Sequence, residues 1–218
     1  MRPPPLPKLQ SPPSKQRVRN PALGVPADAV LAGVDEAGVG SWAGPVVAAA
    51  VILPRGHQFS IRIDDSKRLS AIQRQRAYPE ILAHACVGVG IVSAASIDAT
   101  NIRRATLLAM QQAVAHLQTT PTFVLIDGTA APELPMPTRC LINGDQLHRS
   151  ISCASIIAKV TRDRLMEAYH RMFPAYQLHR HKGYGTDEHQ RALAEYGPSF
   201  IHRLSFAPVA ASLSRPAC

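Results

Sequence analysis

The sequence is poor in aromatic residues and in cysteines. Phe, Trp and Tyr make up 5% of its 218 residues, too few for a surface built from many base-stacking rings. The four cysteines form no Cys-x-x-Cys pair and show no spacing typical of a metal site. Cys86 and Cys153 lie in apolar stretches, as small core residues do. The sequence therefore predicts a reduced, cytoplasmic protein.

Long apolar stretches are also missing. The longest one beyond the N-terminal region, residues 42–53, is interrupted by Pro45 and falls well short of the ~20 residues that a membrane-spanning helix needs. No membrane is therefore expected as a partner. Hydrophobic residues still account for 46% of the chain, which is enough to bury the core of one domain.

Acidic residues are few, 15 against 24 Lys and Arg, and the formal charge is +9. Residues 1–27 hold eight of the 19 prolines and a charge of +5 without any acid, which leaves +4 for the rest of the chain. Such a segment predicts a disordered tail, which serves either as an electrostatic arm for nucleic acid or simply as a solvated extension. The positive balance favours a polyanionic partner without identifying it.

The order of apolar and amphipathic stretches predicts an α/β domain. Strands are predicted at residues 29–36, 45–54, 86–93 and 122–128. Helices are predicted at residues 69–84, 101–118, 150–170 and 187–196. Ser70 and Gln73 form a capping-box signature at the start of the first helix, and Pro79 is expected to kink or split that helix. Strands in a run, followed by alternating strands and helices, indicate a layered domain with a mixed sheet.

Acidic residues follow two of the predicted strands directly. Asp35 and Glu36 end the first strand, and Asp127 ends the stretch FVLI. Because functional groups in open α/β sheets gather beyond the carboxyl ends of strands, we expect Asp35 and Asp127 to lie within a few ångströms of each other. Neighbouring carboxylates repel unless a cation neutralises them, and oxygen ligands without Cys or His suit Mg²⁺ or Mn²⁺. A strand-end acid can also simply belong to a turn or a helix cap.

Asp163 is a fourth acidic candidate, on the predicted helix at residues 150–170. Lys159 and Ser155 precede it by four and eight residues and share its helix face. Asp163 either joins the other acids or pairs with Lys159 across one helical turn.

Two glycine-containing loops are candidates for binding a nucleotide. The first is Gly38-Val39-Gly40, where small side chains let backbone N–H groups approach a ribose or phosphate; the alternative is a tight turn. The second is HKGYGT, in which Tyr184 can stack on a base or sugar and Lys182 can meet a phosphate; the alternative is a turn with a half-buried tyrosine.

Several blocks together resemble bacterial type 2 ribonuclease H, the ribonuclease HII family. The blocks run in the family's order from about residue 33 to residue 209: GVDEAG, AGPVVAAAVILP, DDSKRLS, FVLIDG, SISCASIIAKVTRDRLM, HKGYGTDEH and GPSFIHRLSFAPV. The resemblance implies a ribonuclease-H-like fold, with a mixed five-stranded sheet flanked by helices and a C-terminal helical extension. It divides the chain into the tail at 1–27, a catalytic domain at 28–170, a substrate-contacting extension at 171–209 and a second tail at 210–218.

The resemblance also implies an activity and a set of site residues. The activity is metal-dependent cleavage of RNA in RNA–DNA hybrids and at ribonucleotides embedded in duplex DNA, leaving 3′-hydroxyl and 5′-phosphate ends. The implied catalytic residues and ligands of Mn²⁺ or Mg²⁺ are Asp35, Glu36, Asp127 and Asp163. The implied substrate-binding residues are Gly38, Val39, Gly40, Lys67, Lys182 and Tyr184. A monomer is expected, and the sequence does not decide whether a sliding clamp is a partner.

The chain departs from the family pattern at positively charged positions. Val39 stands where the family usually has arginine, and Asn143 stands where lysine is frequent. Two alternatives are a ribonuclease HIII-like nuclease and a divergent protein that binds hybrids with reduced catalysis. The short Pro-rich tail is unlike the folded N-terminal domain of ribonuclease HIII, and the complete set of acids argues against a protein that only binds.

Overall fold

The computed structural model describes residues 24–26 and 28–213. The tail predicted at 1–27 therefore lies almost entirely outside the described residues, as do residues 214–218.

The centre of the domain is a mixed five-stranded sheet. Its strands are β1 (Leu31–Ala37), β2 (Val46–Ile52), β3 (Cys86–Val92), β4 (Phe123–Asp127) and β5 (Thr138–Leu141). They lie in the order β3-β2-β1-β4-β5. The first three pair antiparallel, whereas β4 runs parallel to β1 and β5 runs parallel to β4. The predicted mixed five-stranded sheet is confirmed, and β5 is a strand that the apolar pattern alone did not predict.

The predicted helices are present, together with several shorter ones. The helices are α1 (Ala71–His84), α2 (Ala94–Ala99), α3 (Ile102–Ala115), α4 (Gly144–Leu147), α5 (Arg149–Met172), α6 (Leu178–His181), α7 (Asp187–Tyr196) and α8 (Ala207–Leu213), with a 3₁₀ turn at Pro174–Tyr176. The predicted capping box is confirmed, because Ser70 accepts a hydrogen bond from the Gln73 N–H. Pro79 lies inside α1 without splitting it, so the expected split is wrong. The lost helical hydrogen bond is offset by the burial of Ala77 and Ile81.

Both faces of the sheet are covered by helices. Ala48 and Ala50 on β2 pack on the side of α3, and Ala49 and Val51 pack on the other side, against α1 and α5. This two-sided burial explains why β2 is apolar along its whole length. It also fixes the two strand ends that carry Asp35 and Asp127 between packed helical layers.

The helices that follow α5 form a third cluster beyond the sheet. Ala43, from the segment between β1 and β2, packs there with Met166, Leu178 and Leu193. The C-terminal helices therefore hold the segment that follows the first acidic pair. Helix α8 extends to Leu213, so residues 210–213 are helical although they fall in the stretch predicted as a tail. No helix in the described ranges is long and apolar enough to cross a membrane.

Candidate functional site

Two strand ends bring the first carboxylates together. The parallel register pairs Val34 of β1 with Ile126 of β4, so the next residues, Asp35 and Asp127, lie side by side at the carboxyl ends of the two strands. One carboxylate oxygen from each lies within 4.8 Å of the other and of an oxygen of Asp145. The prediction that Asp35 and Asp127 meet is confirmed.

Asp145 is the third member of this group, and the sequence analysis did not predict it. It lies on α4, just after β5, the third parallel strand in the row. The Gly144 N–H donates to Asp127 Oδ1 over 2.7 Å, and the Ser152 hydroxyl donates to the Asp145 carbonyl over 2.6 Å. These bonds fix α4 against β4 and α5, and Asp145 is only 4% exposed. In the sequence, Asp145 is an acid that shortly follows the stretch TRCL, and the structure shows this stretch to be a strand parallel to β4.

Asp163, predicted as the fourth metal ligand, does not belong to this group. Its carboxylate accepts a hydrogen bond from Lys159 Nζ over 2.8 Å, which is the alternative pairing across one helical turn. The residue on this helix face that reaches the site is Ser155, whose hydroxyl donates to Ser66 Oγ over 2.8 Å and opposes the rise in the pKa of Asp35. Asp163 follows Ser155 by eight residues, about 12 Å along α5. The structure thus brings Asp145, and not Asp163, to Asp35 and Asp127.

Glu36 belongs to the same electrostatic cluster. Its backbone N–H donates to Asp35 Oδ1 over 2.7 Å. Burial, and then repulsion by Asp127, raises the pKa of Glu36 to about 7, although Lys67 opposes this. Burial followed by repulsion from Glu36 and Asp127 raises the pKa of Asp35 well above its usual value. The cluster therefore holds its negative charge at a cost in free energy.

The loop between β2 and α1 adds a buried acid and a cation to the cluster. Asp65 is buried and accepts a hydrogen bond from the Lys67 backbone N–H over 2.8 Å. Burial, and then a hydrogen bond and repulsion from Asp65, raises the pKa of Asp145 to about 6. Partial burial works against the charge of Lys67, but Asp35, Asp145 and Asp65 attract it and raise its pKa. Sequence analysis named Lys67 but gave Asp65 no role.

The cluster has the chemistry of a site for hard divalent cations. Its donors are carboxylate oxygens, and among the described residues Asp35, Asp127 and Asp145 are the one group of three potential ligands that converge. A bound divalent cation would remove the repulsion that raises the pKa values of Asp35 and Asp145. Since neither Cys nor His is in the group, its composition suits Mg²⁺ or Mn²⁺ better than Zn²⁺.

The two glycine-containing loops meet beside the acids. The Trp42 N–H donates to the Gly183 carbonyl over 2.8 Å, which joins the segment after β1 to the loop before α7. Val39 is 37% exposed and Tyr184 is 38% exposed, so both side chains reach the surface. The Tyr184 ring also lies 5.5 Å from the guanidinium carbon of Arg162.

Lys182 has other partners than the predicted phosphate. Its Nζ donates to Glu167 Oε1 over 2.8 Å and to the His179 carbonyl over 2.7 Å. Its backbone has a positive φ of 52°. The ammonium is thus held against α5 and α6, and the carbonyl of Lys182 is the group that faces the loops.

Comparisons with known proteins agree with this geometry. A family model described as Ribonuclease HII matches residues 32–209. The chain is 52% identical over 188 residues to the ribonuclease HII of Dichelobacter nodosus, covering 84% of this chain and 97% of the relative. It is 51% identical over 180 residues to that of Thermotoga maritima, covering 83% and 74%. The fold is similar to the crystal structure of the ribonuclease H2 from Pyrococcus horikoshii OT3, with a TM-score of 0.69 at 22% identity over 84% of this chain and 96% of the other. The chain belongs to the ribonuclease HII family.

Proposed function

We propose that this chain hydrolyses the RNA strand of RNA–DNA hybrids and also cuts at ribonucleotides embedded in duplex DNA, leaving 3′-hydroxyl and 5′-phosphate ends. The family is one of metal-dependent endoribonucleases with ribonuclease H activity, so the proposal concerns the substrates, the products and the residues that act. The observation that carries it is the convergence of Asp35, Asp127 and Asp145. Asp35 lies only a few residues before the exposed Val39-Gly40 loop, so the acids and the loop belong to one site.

Mn²⁺ or Mg²⁺ is the proposed cofactor. Asp35, Asp127 and Asp145 would hold it, with Glu36 at the edge of the same cluster. When bound, two such cations would supply a water nucleophile at neutral pH and stabilise the leaving 3′ oxygen. The protein contributes fixed oxygens: the Gly144 N–H orients the Asp127 carboxylate, and the Glu36 N–H orients the Asp35 carboxylate.

Recognition of RNA would rest on main-chain groups and one ring. The 2′-hydroxyl is what separates RNA from DNA at a given nucleotide. Exposed backbone N–H groups of Val39 and Gly40 can donate to that hydroxyl, and Tyr184 can contact the same sugar. Lys67, which is exposed beside the acids, can pair with a phosphate and offset the local negative charge.

A cleavage assay with two substrates tests the proposal. One is a continuous RNA–DNA hybrid and the other is a DNA duplex with one ribonucleotide, each with Mg²⁺ or Mn²⁺. We expect cuts in both, with 3′-hydroxyl and 5′-phosphate ends, and an Asp35→Asn variant should leave both intact. Wild-type protein that cuts neither substrate faster than Asp35→Asn would refute the enzymatic function.

The same assay addresses the two alternatives. The chain belongs to the ribonuclease HII family, so the alternative assignment to a ribonuclease HIII-like family is dropped. A protein that only binds hybrids would be hindered by buried acids facing a polyanion. Cutting at the single ribonucleotide separates the proposed activity from one restricted to long hybrids.

Metal binding should stabilise the protein in a pH-dependent way. Because the pKa values of Asp35, Glu36 and Asp145 are raised, the metal-free folded state keeps protons that the unfolded state loses above pH ~4. This contribution to the free energy of unfolding is present below pH ~4 and is lost as pH rises through about 7. Saturating Mn²⁺ should therefore raise Tm by about 5–10 °C at pH 8 and by much less at pH 5.

Calorimetry or circular dichroism with and without Mn²⁺ gives this shift in Tm. The difference between Tm with and without Mn²⁺ is taken at each pH, which cancels the contribution of titrating groups that do not face the metal. Asp35→Asn should remove most of the shift at pH 8, and Asp187→Asn, an exposed acid at the start of α7, should preserve it. An undiminished shift in Asp35→Asn would place the stabilising ion elsewhere.

Restoring the positive charge at position 39 should strengthen substrate binding. Val39 is exposed, so an arginine side chain can extend into solvent without disturbing the core. We expect Val39→Arg to lower KM several-fold, because the arginine adds one contact to a substrate phosphate. The same contact should steepen the salt dependence of binding. Steady-state kinetics at two salt concentrations measure both effects, and Val39→Gln controls for side-chain length. Unchanged KM and salt dependence would leave the loop's main chain as the sole recognition element at this position.

A monomer in the cytoplasm is the proposed working form. Cys86, Cys140 and Cys153 are free thiols in the described part of the chain, which suits a reducing compartment. Whether a sliding clamp is a partner stays open in this proposal.

A further inference from the structure

Two arginines are completely buried behind the proposed substrate loops. Arg162 on α5 and Arg203 before α8 both have 0% exposure. Neither forms an ion pair with a carboxylate among the described residues. A buried charge without a counter-ion is costly unless its hydrogen-bond donors are satisfied. Such a pair therefore needs a structural or functional reason.

Main-chain carbonyls satisfy both guanidinium groups. Arg203 donates to the carbonyls of Gly44 over 3.0 Å, Val39 over 2.8 Å and Gly38 over 2.7 Å. Arg162 donates to the carbonyls of Pro45 over 3.0 Å, Ala43 over 3.0 Å and Lys182 over 2.9 Å. Arg203 thus binds the main chain of the Gly38-Val39-Gly40 loop. Arg162 joins the segment at residues 43–45 to the loop that carries Tyr184.

The hydrogen bonds from Arg203 set the direction of the peptide groups that follow Gly38 and Val39. In a planar trans peptide, the N–H points away from the carbonyl of the preceding residue. Since the carbonyls of Gly38 and Val39 point inward to Arg203, the N–H groups of Val39 and Gly40 point outward. Within the described residues, neither N–H donates to a protein acceptor. The loop therefore presents two adjacent donors on an exposed surface.

We propose that Arg203 and Arg162 are positioning residues for recognition of the ribose, a role that rests on the function proposed above. Arg203 holds the peptide planes so that the N–H groups of Val39 and Gly40 face the 2′-hydroxyl. Arg162 holds the carbonyl of Lys182 and so fixes Tyr184 relative to those donors.

Binding of two matched duplexes tests the role. The Asp35→Asn background blocks cleavage, and the dissociation constants are measured for an all-DNA duplex and for the same duplex with one ribonucleotide. Arg203→Lys keeps the charge but cannot reach all three carbonyls. We expect it to lower the preference for the ribonucleotide about tenfold, with little change in binding to DNA. Arg162→Lys should lower the preference in the same direction.

Tyr176→Phe is the matched control. In the wild type, the Tyr176 hydroxyl donates to the Gly197 carbonyl over 2.7 Å. Removing it weakens the same C-terminal cluster without touching either loop, so the preference for the ribonucleotide duplex should stay constant. Full preference in Arg203→Lys, or an equal loss in Tyr176→Phe, overturns the positioning role. A background protein that shows no preference at all overturns the proposed substrate recognition as well.

Spectroscopy of the unmutated side chains gives a second measurement that does not depend on a variant folding. The Arg203 guanidinium should show separate, slowly exchanging Nη–H resonances in ¹⁵N-labelled protein, because three carbonyls fix it. Those resonances should shift when the ribonucleotide duplex is added and shift less with the all-DNA duplex. Equal shifts with the two duplexes would contradict the coupling between Arg203 and the sugar.

Discussion

Asp145→Asn is expected to reduce cleavage of an RNA–DNA hybrid by about 10³-fold or more, equivalent to about 4 kcal/mol of activation free energy. The amide removes one of three carboxylates whose oxygens lie within 4.8 Å of one another, and with it a charge that a divalent cation needs. Single-turnover rates at saturating Mg²⁺ and Mn²⁺ measure the effect. The shift in Tm on adding Mn²⁺ should fall in parallel, which separates loss of metal from loss of folding.

Asp163→Asn is the matched control, and we expect it to keep its activity within about tenfold of wild type. Asp163 is buried and its carboxylate is engaged with Lys159 at 2.8 Å, so the substitution lowers the free energy of unfolding but leaves the three converging carboxylates in place. The Mn²⁺-induced shift in Tm should be unchanged. The opposite ranking, with Asp163→Asn inactive and Asp145→Asn active, would restore the ligand set predicted from the sequence.

The difference between these two acids shows which part of the site a sequence can predict. Asp35 and Asp127 each follow a strongly apolar run near the carboxyl end of a strand, and the carboxyl ends of neighbouring parallel strands lie together. Asp145 depends on β5, a four-residue strand with the sequence TRCL, which lacks a distinctive pattern. The helix periodicity correctly put Asp163 and Ser155 on one face, but it could not tell which end of that face reaches the sheet.

The fold was predictable where burial is regular along the chain. Four strands and the helices α1, α3, α5 and α7 have either continuous apolar runs or helical spacing. The single-turn helices α4 and α6 are too short for either signal and depend on tertiary contacts. Pro79 does not split α1, because burial of Ala77 and Ile81 compensates one missing hydrogen bond.

Charge is the property that the sequence represents least directly. Lys182 was predicted to meet a phosphate, yet its ammonium pairs with Glu167, fifteen residues away on another helix. Arg162 and Arg203 count as surface charges in any composition, although both are buried among carbonyls. The small positive balance of the folded part therefore understates how the charge is arranged around the proposed substrate loops.

Gly38→Ala is expected to lower the free energy of unfolding by about 3 kcal/mol or more. Gly38 has a φ of 93°, a conformation that costs an L-residue about 1–2 kcal/mol. An added methyl group would also overlap Nε and Cδ of Arg162, and overpacking of this kind typically costs about 1–3 kcal/mol. Arg162 cannot yield easily, because three carbonyls hold its guanidinium. Urea denaturation gives the change in stability, and kcat/KM on the hybrid should fall by about 100-fold as the loop shifts.

Gly40→Ala provides the comparison within the same loop. No atom lies within 4 Å of the position that its methyl group would take, and its φ is outside the left-handed region, so stability should change by less than about 1 kcal/mol. Its effect should appear as a higher KM, because the methyl group lies on the exposed face of the loop. Equal losses of stability in the two variants would mean that the loop is not held from behind by Arg162. A Gly38→Ala variant as stable as wild type would imply that the loop has another conformation in solution.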